Sequence, residues 1–141
     1  LDALDEIGTV GAAADWVRGE VEAGRRIMGF GHAVYRAPDP RSALLREVAE
    51  RLGGDLVELA TAVEAEILVT LTELKPGRPL PSNVEFYAGV VMETAGLPRS
   101  MFTPTFAVSR TIGWCAHIVE QAASAKLIRP SSRYVGPPVT I

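Results

Sequence analysis

The segment Lys75-Pro76-Gly77-Arg78-Pro79-Leu80-Pro81 constrains the fold most, because prolines so closely spaced permit neither a regular helix nor a central strand. The chain on either side of it reads helix after helix. Leu56, Leu59, Ala60, Val63, Ile67 and Leu71 recur at intervals of three and four, the period of a helix with one buried face, and predict a helix over 55–74. Gly53-Gly54 separates it from a helix over 40–52, where Asp39 is an N-cap and Pro40 the first helical residue. The apolar face of that helix is expected on Ala43, Leu44, Val48 and Leu52. A first helix is expected over 10–25, capped by Thr9, with Trp16, Val17 and Val21 turned inward. After the proline-rich segment, Asn83 caps a short helix to about Thr94 and leaves Glu85 in its first turn. Gly96-Leu97-Pro98 ends that element, and Thr103-Pro104 repeats the cap-plus-proline start for a helix over 104–125. Its expected packing positions are Ala107, Ile112, Cys115, Ile118 and Val119. Beyond Arg129 the frequency of Pro, Ser and Gly argues for an arm that packs on another subunit. The prediction is an all-α chain, with 1–141 as one domain.

Composition narrows the function classes. Hydrophobic residues make up 48% of the 141, and Asp, Glu, Lys and Arg together 22%, so the chain has a large apolar area to bury. No apolar run approaches the roughly 20 residues that span a bilayer, and Asp2, Asp5 and Glu6 argue against a signal segment. With Leu rather than Met at position 1, a native start upstream is an expectation. A formal charge of −3 gives no reason to expect nucleic acid as a partner. The single Cys115 excludes an intrachain disulfide, and no thiol or histidine cluster completes a metal site around His117. A cytoplasmic location, with no metal and no resident cofactor, is the expectation. Trp16 and Trp114 read as packing anchors, and Met28, Met92 and Met101 as fillers of helix interfaces.

The chemistry concentrates in Gly29-Phe30-Gly31-His32-Ala33-Val34-Tyr35-Arg36-Ala37-Pro38-Asp39-Pro40-Arg41. His32 lies in a loop between sparse side chains, where it either ties down the local backbone or donates a hydrogen bond to an oxygen that gains negative charge. The glycine spacing lacks the remaining elements of a phosphate loop. Arg36 and Arg41 are ordinary surface residues taken singly; together they form a clamp suited to phosphates or carboxylates. Glu85, at a helix start, either answers the unpaired backbone N–H groups there or abstracts a proton from a bound carbon acid. Arg110 and Arg129 are late cationic positions, each read as a solvent-facing or salt-bridged residue, or as an anion ligand.

Three ordered blocks carry a resemblance: Gly29–Arg36 with Asp39-Pro40-Arg41, then Pro81-Ser82-Asn83-Val84-Glu85-Phe86-Tyr87-Ala88-Gly89, then Phe106-Ala107-Val108-Ser109-Arg110. Over nearly its whole length the chain resembles the C-terminal part of citrate synthase. The resemblance implies the helical small lobe of that fold with C-terminal helices attached, in a two-domain enzyme that forms homodimers. It implies condensation of acetyl-CoA with oxaloacetate to give citrate and CoA. Glu85 matches the general base, where the family usually has Asp, and His32 the histidine that polarises the oxaloacetate carbonyl. Arg41 and Arg110 match carboxylate-binding arginines of the same subunit, Arg129 one presented to the partner's site, and Arg36 a position near the CoA phosphates. The upstream large-domain segments, with the histidine that assists at the thioester, are expected in cis or in trans, and the chain alone is expected to be inactive. Two further readings remain open: a 2-methylcitrate synthase fragment, which uses propionyl-CoA, and a non-catalytic CoA-binding or dimerisation module.

Overall fold

The computed structural model describes residues 1–35, 37–124, 127, 129–133 and 135–136. The backbone falls into two units, Leu1–Phe102 and Thr103–Ile141. The first opens with a short helix α1 (Asp2–Ile7), a 3₁₀ turn (Val10–Ala12) and α2 (Ala13–Glu22), and continues through α3 (Pro40–Leu52), α4 (Asp55–Leu74) and α5 (Val84–Thr94). The expected helix over 10–25 is therefore shorter at both ends. Thr9 precedes the 3₁₀ turn and its side chain caps nothing. At the far end Gly24 N bonds to Val21 O and Arg25 N to Glu20 O, wrapping the last turn back on itself.

α3 and α4 run over the expected residues because their ends are set locally. The Asp39 carboxylate accepts from Arg41 N, and Pro40, first in the helix, has no amide hydrogen to leave unpaired. The inward face of α3 differs from the expected one. Ser42 and Ala49 are buried and Leu45 and the expected Val48 are half-buried, whereas Ala43, Leu44 and Leu52 are exposed. Small side chains at 42 and 49 let α3 lie close along α5, its main neighbour, and that close approach selects the face rather than the largest apolar residues.

α4 is the central helix. Val57, Ala60, Val63, Ile67 and Leu71 are buried on one face, and they share the core with Leu4, Ile7, Val17, Ile27, Tyr87 and Val90. Each fully buried aliphatic side chain of this size contributes about 1.5–3 kcal/mol. A polar knot is set into this core. Tyr87 Oη donates to Glu64 Oε2 at 2.5 Å, and Arg46 Nη1 donates to the same oxygen at 3.1 Å, so one carboxylate joins α3, α4 and α5. Burial, followed by the adjacent Glu64 carboxylate, pushes the Tyr87 phenol well above its ordinary pKa.

α6 (Phe102–Ser124) carries the chain into the second unit. A 3₁₀ turn at Arg99–Met101 leads directly into it, so Thr103 lies inside the first turn rather than at the cap. Pro104 falls where an amide has no intrahelical partner. None of the expected packing positions Ala107, Ile112, Cys115, Ile118 and Val119 is buried, and Trp114 is also exposed. The arm expected beyond Arg129 lies partly outside the described residues. Among those described, no helix is long and apolar enough to cross a membrane.

Candidate active site

The two glycines of the His32 loop are required by their surroundings. Gly29 has φ 89° and Gly31 φ 77°, values that disfavour any side chain. A Cβ at Gly29 would stand 3.1 Å from Phe86 Cβ, and one at Gly31 would stand 2.8 Å from Leu80 Cδ2. The loop is thus pressed between α5 and the proline-rich segment. An isolated antiparallel bridge pairs Phe30 with Ser82, with Gly31 N donating to Pro81 O at 2.7 Å and Asn83 N to Gly29 O at 2.8 Å. The prolines that forbid regular structure over 75–81 leave carbonyls free to receive this loop.

His32 is fixed by its own backbone. Its Nδ1 accepts from Val34 N at 3.0 Å and Tyr35 N at 2.9 Å, and its ring stacks on Tyr35 with centroids 4.3 Å apart. Two incoming N–H groups require a lone pair at Nδ1, so the neutral ring carries its proton on Nε2. The two sequence readings of this histidine are therefore compatible: one nitrogen ties the loop down and the other keeps its proton. Nε2 lies 3.4 Å from Arg41 Nη2.

Asp39 organises the arginine. It is 3% exposed and accepts from Arg41 through Nε at 2.9 Å and Nη2 at 2.8 Å, beyond the cap bond to Arg41 N. Its Oδ2 also accepts from Val84 N at 3.2 Å, so one carboxylate serves the starts of both α3 and α5. The Arg41 guanidinium holds the Asp39 carboxyl down at a pKa of about 2, against the opposing effect of burial. Asp39 occupies two of the five guanidinium N–H groups, and three remain for an anion beside His32.

Glu85 is exposed, and its backbone N–H is satisfied by Asn83 Oδ1 at 2.9 Å. Glu85 and His32 line one groove of about 540 Å³, together with Arg25, Arg26, Lys75 and Arg78. Arg25 is paired with Glu20. No carboxylate among the described residues pairs with Arg26, Lys75 or Arg78. The groove carries an imidazole, a carboxylate and unneutralised cations along its wall, and the Arg41 guanidinium stands beside the imidazole. Such a surface suits a ligand with a keto or carboxylate group at one end and phosphates at the other.

The family described as "Citrate synthase, C-terminal domain" matches residues 1–131. The chain belongs to the citrate synthase family. Its all-α fold is that of the family's C-terminal, small-lobe region. It is 50% identical over 137 residues to "Putative citrate synthase 2" of Mycobacterium tuberculosis, covering 97% of this chain and 37% of that protein. The crystal structure of citrate synthase from Thermotoga maritima aligns with a TM-score of 0.77 at 37% identity, over 97% of this chain and 37% of that one. A ternary complex of carboxymethyl coenzyme A and oxaloacetate with the citrate synthase of Thermoplasma acidophilum aligns with a TM-score of 0.78 at 29% identity, over 99% and 38%. The chain thus spans little more than a third of the length of these citrate synthases.

Of the residues singled out from sequence, His32 lies beside Arg41 and shares a groove with Glu85; Arg41 does not line that groove. Arg110 lies on α6 in the second unit, exposed, its Cζ 5.6 Å from the Phe106 ring centroid. Arg129 is exposed and outside any helix. Arg36 lies outside the described residues. His117 is an exposed residue of α6, with Nδ1 3.6 Å from Glu120. Sequence reasoning missed the second role of Asp39 and the cations at 26, 75 and 78. For Asp39 the cap position was the available signal, and it named only one of the two helices. The cations came from unrelated segments, with no shared spacing to announce them.

Proposed function

We propose that this chain is the C-terminal part of an enzyme that condenses acetyl-CoA with oxaloacetate and water to give citrate and CoA. Glu85 takes a proton from the acetyl methyl group, and the resulting enolate carbon attacks the keto carbon of oxaloacetate. His32 Nε2–H hydrogen-bonds to the keto oxygen as it gains negative charge, and that oxygen takes up a proton to become the hydroxyl, balancing the one removed by Glu85. Water then cleaves the thioester, releasing CoA. Arg41 and Arg110 hold the oxaloacetate carboxylates, and Arg129 reaches the site of a second copy in a homodimer. Arg36, with Arg26, Lys75 and Arg78 of the groove wall, receives the CoA phosphates. The histidine that assists at the thioester carbonyl comes from segments outside this sequence, in cis or in trans, so the 141-residue chain alone is inactive.

The observation that carries this reading is the tautomer of His32. Its Nδ1 is engaged by two backbone N–H groups, which leaves the neutral ring's proton on Nε2, available to a substrate oxygen, on a residue that lines one groove with Glu85. The test is release of free CoA thiol from acetyl-CoA plus oxaloacetate, with propionyl-CoA run in parallel. The chain alone is expected to release none. Supplied with the missing segments, the assembly turns over, and Glu85→Gln lowers that turnover by roughly 10²–10⁴-fold. Unchanged turnover for Glu85→Gln rejects its role as the base. Calorimetric binding of CoA by the chain with no citrate formed by any assembly favours a non-catalytic CoA-binding module instead.

A further inference from the structure

We infer that Asn83 is a positioning residue that holds the His32 loop in register with the helix bearing Glu85. Its catalytic consequence rests on the condensation proposed above; its geometry does not. Besides the helical bond from Phe86 N to the Asn83 carbonyl, three bonds of this residue reach the loop and Glu85. Its backbone N–H donates to Gly29 O at 2.8 Å, its side-chain Nδ2 donates to Gly31 O at 2.8 Å, and its Oδ1 accepts from Glu85 N at 2.9 Å. One side chain therefore touches the residue immediately before His32 and the backbone of Glu85 itself.

Helix capping accounts for only half of this. An N-cap needs an acceptor, and Asp or Ser supplies one as well as Asn does. The amide NH₂ is the surplus group, spent on the Gly31 carbonyl 52 residues away in the chain. That tie matters because the loop is already confined on its other sides. Phe86 and Leu80 leave no room for a Cβ at Gly29 and Gly31, so the loop cannot slide toward α5 or toward the proline-rich segment. Losing the tie leaves the Gly31 N–Pro81 O and Asn83 N–Gly29 O bonds as the loop's polar restraints, and loosens the register at the Gly31 carbonyl, next to His32.

Asn83→Asp separates the two functions, since it keeps the acceptor for Glu85 N and replaces the donor with an oxygen facing the Gly31 carbonyl. Asn83→Ser makes the same separation without added charge. Solvent exchange of the Gly31 and Asn83 amides and the ring resonances of His32, followed by NMR in the full 141-residue chain, read the register directly. Both variants are expected to retain wild-type helicity, to exchange those two amides about tenfold faster, and to shift the His32 ring signals. In the assembled enzyme kcat falls about tenfold to 100-fold in both variants, while for the uncharged Asn83→Ser the KM for the CoA thioester changes less than about twofold, since the charges of the groove are unaltered. Exchange and ring signals unchanged in both variants reduce Asn83 to a helix cap and overturn the inference. Altered exchange with unchanged kcat overturns its catalytic consequence. A wild-type assembly that makes no citrate defeats the condensation reading, while the exchange result still decides the register.

Discussion

α4 and α6 are the two long helices of this chain, 20 and 23 residues, and both are rich in apolar side chains. α4 buries seven residues, from Val57 to Leu71; α6 buries none, and Ile112 on it is 78% exposed. Periodicity and apolar content therefore specify a helix and a face, but not what covers the face. α4 is covered by α2, α3 and α5, all drawn from the same unit. The energetic role of each apolar residue follows from that difference, not from its identity.

A matched pair of substitutions sharpens the contrast. Ile67→Ala, at a site only 1% exposed, is expected to destabilise the chain by about 2–5 kcal/mol, through lost burial and the cavity left behind. Chemical denaturation measures it. The next largest effect tests the polar anchoring of the first unit through pH. The Asp39 carboxyl is held at about 2, below its ordinary value of 3.8, so its ionised form stabilises the fold. That contribution, about 2 kcal/mol, is complete above about pH 4 and is lost as pH falls toward 2. Asp39→Asn should flatten the stability difference between pH 5 and pH 2.5, and a wild-type curve already flat over this range rejects the assignment. The smallest effect is Ile112→Ala on α6, expected to change the stability of the chain by less than about 0.5 kcal/mol. A loss comparable to that of Ile67→Ala breaks the comparison.

The same contrast explains what was legible in the sequence. α3 and α4 were readable because Asp39-Pro40 and Gly53-Gly54 fix their ends through neighbours in the chain. α5 was readable because Asn83 caps it locally. α1 escaped notice: six residues are too few for periodicity to register. The inward face of α3 was misassigned because Ser42 and Ala49 are selected by the proximity of α5, a tertiary fact. In the site, His32, Arg41 and Glu85 stood out by residue type and by family resemblance. Their local bonds, His32 to Val34 and Tyr35 and Arg41 to Asp39, carry no sequence signal of their own, and the bonds that hold these segments together close between distant parts of the chain: Asp39 to Val84, Asn83 to Gly31. Lys75 and Arg78 were read only as parts of a helix-breaking segment, although the segment's irregular path is what brings them to the groove.

The double duty of Asp39 has a consequence for the order in which the molecule matures. Its bond to Val84 N spans 45 residues, enclosing all of α3 and α4. Closing so long a loop costs entropy that neighbouring contacts do not repay until the intervening helices have docked. The start of α3 can form early on its own cap, but the carboxylate takes up its second partner only when α5 arrives. Mutations at Asp39 are therefore expected to speed unfolding more than they slow folding. The His32 loop, tied by Gly31 O to Asn83 at the start of α5, docks at the same late stage, so a chain trapped short of it is helical and collapsed with that loop still unseated.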